Sequence, residues 1–261
     1  HEQSARSDQD NALVLDDSAT DADDGYFEAL ARIVNDGLDA CGYVYCPGDV
    51  MASNPKWRKP LSVWKKYFNN WITVPEEKAL MHANIFFDLR CVYGDTGLVD
   101  TLKESIRTDA KRNELFLALM AKNAMNFQPP LGFFRQFVLE KSGEHKNTLD
   151  IKKHGIMPIV EIARIRALAA GEVRITTRNR LRAAAKAGEI TKPDAASLID
   201  ALDFIEKLRI EHQNRQLHAG KRPDNHLSPD ELSSLVRHNL KSAFNQVSVS
   251  QSALLNRFHL A

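Results

Sequence analysis

Only three cysteines occur in the 261 residues, Cys41, Cys46 and Cys91, and no two of them share a CxxC spacing. An odd, unpatterned set excludes a disulfide framework and a zinc ribbon, and it fits a chain kept in a reducing, cytoplasmic setting. Long hydrophobic runs are lacking too. No stretch reaches the roughly 18 apolar residues that cross a bilayer, so no membrane partner is expected. Charge of one sign is equally scarce. With 35 basic and 34 acidic side chains the net charge is +1, which supplies no global field for holding a nucleic-acid template. Affinity for a polyanion must therefore come from a local site. The opening residues, His1 to Asp10, are polar and acidic, unlike a signal peptide. Internal repeats and low-complexity linkers are absent. What remains is an ordinary folding composition, 43% hydrophobic and 26% charged.

Patterning divides the chain in two. The apolar run Asn11-Ala-Leu-Val-Leu15 reads as a short buried strand, although its periodicity alone does not exclude a helix. After an acidic loop at 16–24, Phe27, Leu30, Ala31, Val34 and Leu38 recur at helical spacing, which predicts a helix over 26–40 with Gly42 beyond its end. Tyr43-Val-Tyr45 reads as a second strand entering a Cys46-Pro-Gly48 turn. Trp64, Tyr67, Phe68 and Trp71 predict a core-packed helix over 61–72, and Pro75 suits the opening of another short helix. Ile85-Phe-Phe-Asp-Leu-Arg-Cys91 is β-favouring, with one carboxylate inside it. From Leu98 onward a 3.6-residue period dominates, strongest over 156–170, 193–218 and 228–258, the last opened by Ser228-Pro-Asp-Glu231. The expected class is α+β: a small mixed sheet with helices over residues 1–105, then an all-helical domain over 106–261.

Ser7-Asp8-Gln9-Asp10-Asn11 feeds directly into the first strand. Strand side chains alternate faces, so Asp8 and Asp10 project to one side with Cα atoms about 6.6–7 Å apart. Two carboxylates at a strand mouth suit Mg²⁺ or Mn²⁺ together with substrate phosphates. Taken alone, the same pair also reads as a solvated turn. Asp88 is the candidate third carboxylate, because a charge in an apolar strand is costly unless paired or metal-bound. An ion pair with Arg90, two residues along the same face, would also satisfy it. Gln9 and Asn11 face the other way, where structural hydrogen bonding is expected.

His1-Glu-Gln-Ser-Ala-Arg-Ser-Asp-Gln-Asp-Asn-Ala-Leu-Val-Leu15 resembles the active-site segment of a bacterial family of nucleotidyltransferases with a polymerase-β-like core. That family is related to PII uridylyltransferase and glutamine-synthetase adenylyltransferase, and it is often fused to cyclic-nucleotide-binding and CBS domains. The likeness continues in order through Cys46-Pro-Gly48, Asn54-Pro55, Trp57-Arg58, Phe86-Phe-Asp-Leu-Arg90 and Tyr93-Gly-Asp95. In the second half it runs through Pro129-Pro-Leu-Gly-Phe-Phe134, Leu149-Asp-Ile-Lys152, Thr177-Arg-Asn-Arg-Leu181 and His212-Gln213. The family's Gly-Ser turn, which cradles the triphosphate, belongs just before His1, so the sequence is expected to be a fragment that starts partway through the motif, with a truncated core.

The resemblance implies Asp8, Asp10 and Asp88 as metal ligands and catalytic groups, with Mg²⁺ or Mn²⁺ as cofactor. It implies a nucleoside triphosphate, ATP or UTP, as substrate. The acceptor would be a signalling or regulatory protein, and upstream regulatory domains would be partners in a longer chain. A catalytically silent nucleotide- or partner-binding module is the alternative. Ser7, Lys152, Arg178 and Arg180 are candidate nucleotide contacts. They accompany a basic cluster, Arg164, Arg166, Arg174 and Arg182, whose plainer reading is a solvated, salt-bridged face. His154, His212 and His226 lack ligand spacing and read as surface or packing residues. Cys41 and Cys46 read as buried thiols, and Trp57, Trp64 and Trp71 as core.

Overall fold

The computed structural model describes residues 7–132, 134 and 136–260. It forms two compact units that divide between Arg112 and Asn113. Among the described residues, no helix is long and apolar enough to cross a membrane.

The first unit opens with two very short strands, β1 (Asp8–Gln9) and β2 (Leu13–Leu15). Helix α1 (Asp24–Ala40) follows and carries the chain back to β3 (Val44–Tyr45), which lies parallel to β1 with Asp8 opposite Val44 and Gln9 opposite Tyr45. Strand β4 (Arg58–Pro60) pairs parallel with β2, and Pro60 ends the ladder where it has no N–H to give. Helices α2 (Leu61–Thr73), α3 (Glu77–Phe86) and α4 (Thr96–Arg112) complete the unit. α4 thus runs through residue 105 and stays with the first unit to Arg112.

The sequence expectation fails at one informative place. Ile85–Cys91 is not a strand. α3 extends to Phe86, and Asp88 sits in the turn beyond it. The cause is packing: Ala79, Leu80, Ala83, Phe86 and Phe87 fall at helical spacing and are all buried. Phe86 lies 4.7 Å from Trp57, 4.9 Å from Trp64 and 5.8 Å from Trp71, ring centre to ring centre, so the tryptophans are core, as their spacing implied. The polar ends of two of these rings are satisfied. Trp57 Nε1 donates to Asp49 O and Trp64 Nε1 to Leu13 O, both at 3.0 Å.

His82 is embedded in the same cluster, 5.1 Å from Trp57 and 5.6 Å from Trp71. Burial, aided by Lys56 and Lys78, pushes its imidazole down to about 4. The unfolded chain therefore binds this proton more readily than the folded one. Stability is fully present above about pH 6.5 and is lost as the pH falls toward 4. The expected loss near pH 4.5 is about 2–3 kcal/mol. Urea melts of the wild type and His82→Phe at pH 7.5 and 4.5 should show a shallower acid dependence in the variant, by roughly that amount.

In the second unit, α5 (Glu114–Ala124), α6 (Met157–Ala170), α7 (Thr177–Lys186), α8 (Lys192–His218) and α9 (Ser234–Arg257) form a bundle, and a small antiparallel pair, β5 (Leu149–Asp150) with β6 (His226–Leu227), closes one end. α6 is packed by α5, α7 and α9, and every residue from Pro158 to Leu168 is buried. A π-helical turn, Lys152–Ile156, leads into it. Gly155 permits that turn, because a Cβ there would meet Ile205 at 3.1 Å and Phe244 at 3.2 Å. The stretch Ser228-Pro-Asp-Glu231 does not start the last helix. It makes a separate 3₁₀ turn, and α9 begins at Ser234 with the Ser233 hydroxyl accepting from Val236 N.

Candidate metal and nucleotide site

The local order of β1 follows from its back face. Gln9 is 4% exposed, and its Nε2 donates to Asn35 O at 3.0 Å and Tyr43 O at 3.1 Å. Asn35, on α1 and 1% exposed, donates through Nδ2 to Gln9 Oε1 at 2.7 Å and to Asn11 Oδ1 at 2.9 Å. Asn11 Oδ1 also accepts from Ala52 N, and Asn35 Oδ1 accepts from Ser53 N. Three amides thus tie β1, α1 and the 50–53 loop together, as the alternation of side chains along the strand implied. Arg58 closes the loop from the other side. Its guanidinium is buried, bonds to Ala52 O and Ser53 O, and pairs with Asp24 at 2.9 Å.

With Gln9 held inward, Asp8 and Asp10 share the opposite face. A carboxylate oxygen from each and Cys46 Sγ lie within 4.8 Å of one another. Cys46 follows β3 directly, so the parallel register that sets Gln9 opposite Tyr45 brings Cys46 beside Asp10. Burial, and then a hydrogen bond from the thiol to the Asp10 carboxylate, push Cys46 above its ordinary range, while the backbone N–H groups of Val50 and Gly48 pull it down. Cys46 is half-buried and Cys41 exposed, so neither is the enclosed thiol expected from sequence.

The donor set fits a divalent cation. Opposite ligands of an octahedral Mg²⁺ stand about 4.2 Å apart, given bonds of about 2.1 Å. The two carboxylates thus need only a small side-chain rotation to share an ion.

Asp88 lies outside this cluster, on the turn after α3. Ser7 is half-buried just before β1. Glu2 and Gln3 of the resembling segment, and Phe133 in the second half, lie outside the described residues. The other expected contacts belong to the second unit. Lys152 is exposed at the head of the π-helical turn. Arg178 is ion-paired with Asp203 and Glu206 of α8. Arg180 is 3% exposed, and its Nε donates to Arg174 O. The arginine cluster is a solvated, salt-bridged face only in part: Arg174 and Arg182 are exposed and Arg174 and Arg178 ion-paired, but Arg164, Arg166 and Arg180 are buried, Arg164 against Glu161 at 2.5 Å and Arg166 on the carbonyls of Glu189 and Ala253. His212 is buried beside Asp224 at 3.3 Å, a packing role in keeping with its lack of ligand spacing.

Cys46 is the residue that sequence reading left out of the site. Cys46→Ser keeps a donor to Asp10 but removes the sulfur. Mn²⁺ affinity should change less than about threefold, whereas Cd²⁺ affinity should fall at least about tenfold, because thiolate is the softer ligand. Competition titrations of the two ions on both proteins measure this. Equal Cd²⁺ affinity would remove Cys46 from the centre.

No curated protein and no solved structure matches the chain. Two family models do. One, described as "Putative nucleotidyltransferase DUF294", matches residues 1–78 and contains the Asp8–Asp10 segment and Cys46. The other, described as "Putative nucleotidyltransferase substrate binding domain", matches residues 114–258, more than half of the chain and nearly all of the helical unit. The chain belongs to this nucleotidyltransferase family.

Proposed function

We propose that this chain carries the metal centre of a nucleotidyltransferase that moves a nucleoside monophosphate from ATP or UTP to a hydroxyl acceptor. The supporting observation is the pair Asp8, on β1, and Asp10, just past its end, with carboxylate oxygens brought close while Gln9, Asn11 and Asn35 lock the segment from behind. Asp8 and Asp10 would hold Mg²⁺ or Mn²⁺. The bound ion supplies neutralisation of the triphosphate and acidification of the attacking hydroxyl. In the transfer, the acceptor oxygen bonds to the α-phosphorus, the bond to the bridging oxygen breaks, and pyrophosphate leaves. The hydroxyl proton passes to a carboxylate or to solvent. The contribution of the carboxylates is positioning and charge, with no covalent intermediate on the protein. Asp88, on the turn after α3, is proposed as the carboxylate that completes the ion nearer the attacking hydroxyl.

The acceptor is proposed to be a signalling or regulatory protein, as in the PII uridylyltransferases to which the resembling family is related. Label transfer from α-labelled ATP or UTP, with Mg²⁺ or Mn²⁺, tests the reading in the full-length protein. Transfer or pyrophosphate release that disappears in Asp8→Asn/Asp10→Asn supports it. Nucleotide binding with neither reaction, across candidate acceptors, would replace it with a silent binding module.

A further inference from the structure

The helical unit holds a cleft of about 400 Å³ between the 137–139 segment and the first turns of α9. That volume suits a small organic molecule. One wall is apolar: Phe137, Leu139 and Pro229 line it, and the Phe137 ring is braced edge-on against Phe244 at 6.2 Å. The other wall is cationic. Arg237 and Lys241 are four residues apart on α9, hence on one face, and His238 lies beside them.

The placement of these cations is not explained by helix stability. Arg237 sits in the first turn of α9, where the helix dipole disfavours positive charge and no acidic residue offsets it, and Lys241 follows one turn later. Among the described residues, neither Arg237 nor Lys241 has a carboxylate partner. Lys241 Nζ instead lies 5.1 Å from the centre of the Phe137 ring. Asp230 is the one acidic side chain in the lining, exposed at the rim, and it leaves the wall with positive charge in excess.

We propose that this cleft binds an organic anion, a phosphate or carboxylate head on an apolar or aromatic body. The head sits at Arg237, His238 and Lys241, and the body rests on Phe137, Leu139 and Pro229. This rests on the substrate-binding reading of the helical half and gives that half a specific pocket and ligand chemistry. Cation and aromatic wall act together, since Lys241 already spans both.

The test is NMR titration of the whole chain with phenyl phosphate, benzoate and inorganic phosphate, following amide signals over 234–241. At least one of the two aromatic anions should saturate those signals, at least about tenfold more tightly than inorganic phosphate. Saturation by phenyl phosphate alone assigns a phosphate head, and by benzoate alone a carboxylate head. Arg237→Ala/Lys241→Ala should weaken binding at least about tenfold without changing Tm, and Phe137→Ala should weaken the aromatic probes but not inorganic phosphate. Asp8→Asn/Asp10→Asn should bind the probes as the wild type does. If it does so while losing its metal, or while no transfer is ever found, the cleft stands independently of the nucleotidyl reading. The proposal is overturned if neither aromatic probe saturates, if inorganic phosphate binds as tightly, or if the double alanine variant binds like the wild type.

Discussion

Mn²⁺ binding should weaken at least about tenfold, roughly 1.4 kcal/mol, when Asp10 becomes asparagine. Any transfer activity should fall on the order of 10³-fold, about 4 kcal/mol of barrier. Asparagine preserves shape and hydrogen bonding but removes the charge that holds the cation. Asp8→Asn should behave alike, because the two carboxylates lie close together at the end of β1. Asp21→Asn is the control: that side chain is exposed in the acidic loop, outside the cluster, and should leave both quantities unchanged. Electron paramagnetic resonance counts free Mn²⁺ directly, so binding is measured without a known acceptor. Two asparagine variants that bind Mn²⁺ as tightly as the wild type would move the metal elsewhere and leave the Asp8–Asp10 pair as solvated acids.

What the sequence reveals of this site is what depends on local geometry. The two-residue period of a strand is enough to set Asp8 and Asp10 on one face and Gln9 and Asn11 on the other. The amide network of Gln9, Asn11 and Asn35 bears out the second half of that reading. Cys46 was hidden because its approach depends on the parallel register of β1 with β3, a pairing between segments more than 30 residues apart that no local signal encodes. The strand expected around Asp88 failed for a related reason. Ile85-Phe-Phe87 has strand propensity, but Phe86 is the lid of the tryptophan cluster, and tertiary burial decided for helix. The arginines misled in the opposite direction. Six guanidinium groups look like a wet surface, yet α6 is enclosed by its neighbours, so Arg164 and Arg166 are buried, held by Glu161 and by backbone carbonyls, with Arg166 Nε and Glu161 Oε2 left without a hydrogen-bond partner. The last helix shows how a good capping signal can be spent on the wrong element. Ser228-Pro-Asp-Glu231 closes one 3₁₀ turn, and Ser233 supplies the cap that α9 uses.

Asn35→Ala should damage the fold and the metal site together, although residue 35 touches neither Asp8 nor Asp10 through any bond described. The alanine removes both Nδ2 donors, to Gln9 at 2.7 Å and Asn11 at 2.9 Å, and the Oδ1 acceptor of Ser53 N at 3.1 Å. Gln9 keeps Asn11 Nδ2, and Asn11 keeps Ala52 N, so the loss is partial at those two positions. Ser53 N loses its acceptor outright. Unsatisfied buried groups of this kind cost about 1–3 kcal/mol each, so a total of about 2–4 kcal/mol in urea unfolding is expected. Asn70→Ala, on an exposed face of α2, should stay within about 0.5 kcal/mol. The distinctive consequence is remote. If the back-face amides hold β1 in register, loosening them lets Asp8 and Asp10 wander, and Mn²⁺ affinity should drop several-fold even in the fraction that stays folded. An Asn35→Ala protein that loses stability yet binds Mn²⁺ as before would show that the network serves the core alone. If both quantities fall together, the register of a two-residue strand is what aims the carboxylates, and the metal site begins at the asparagine behind it.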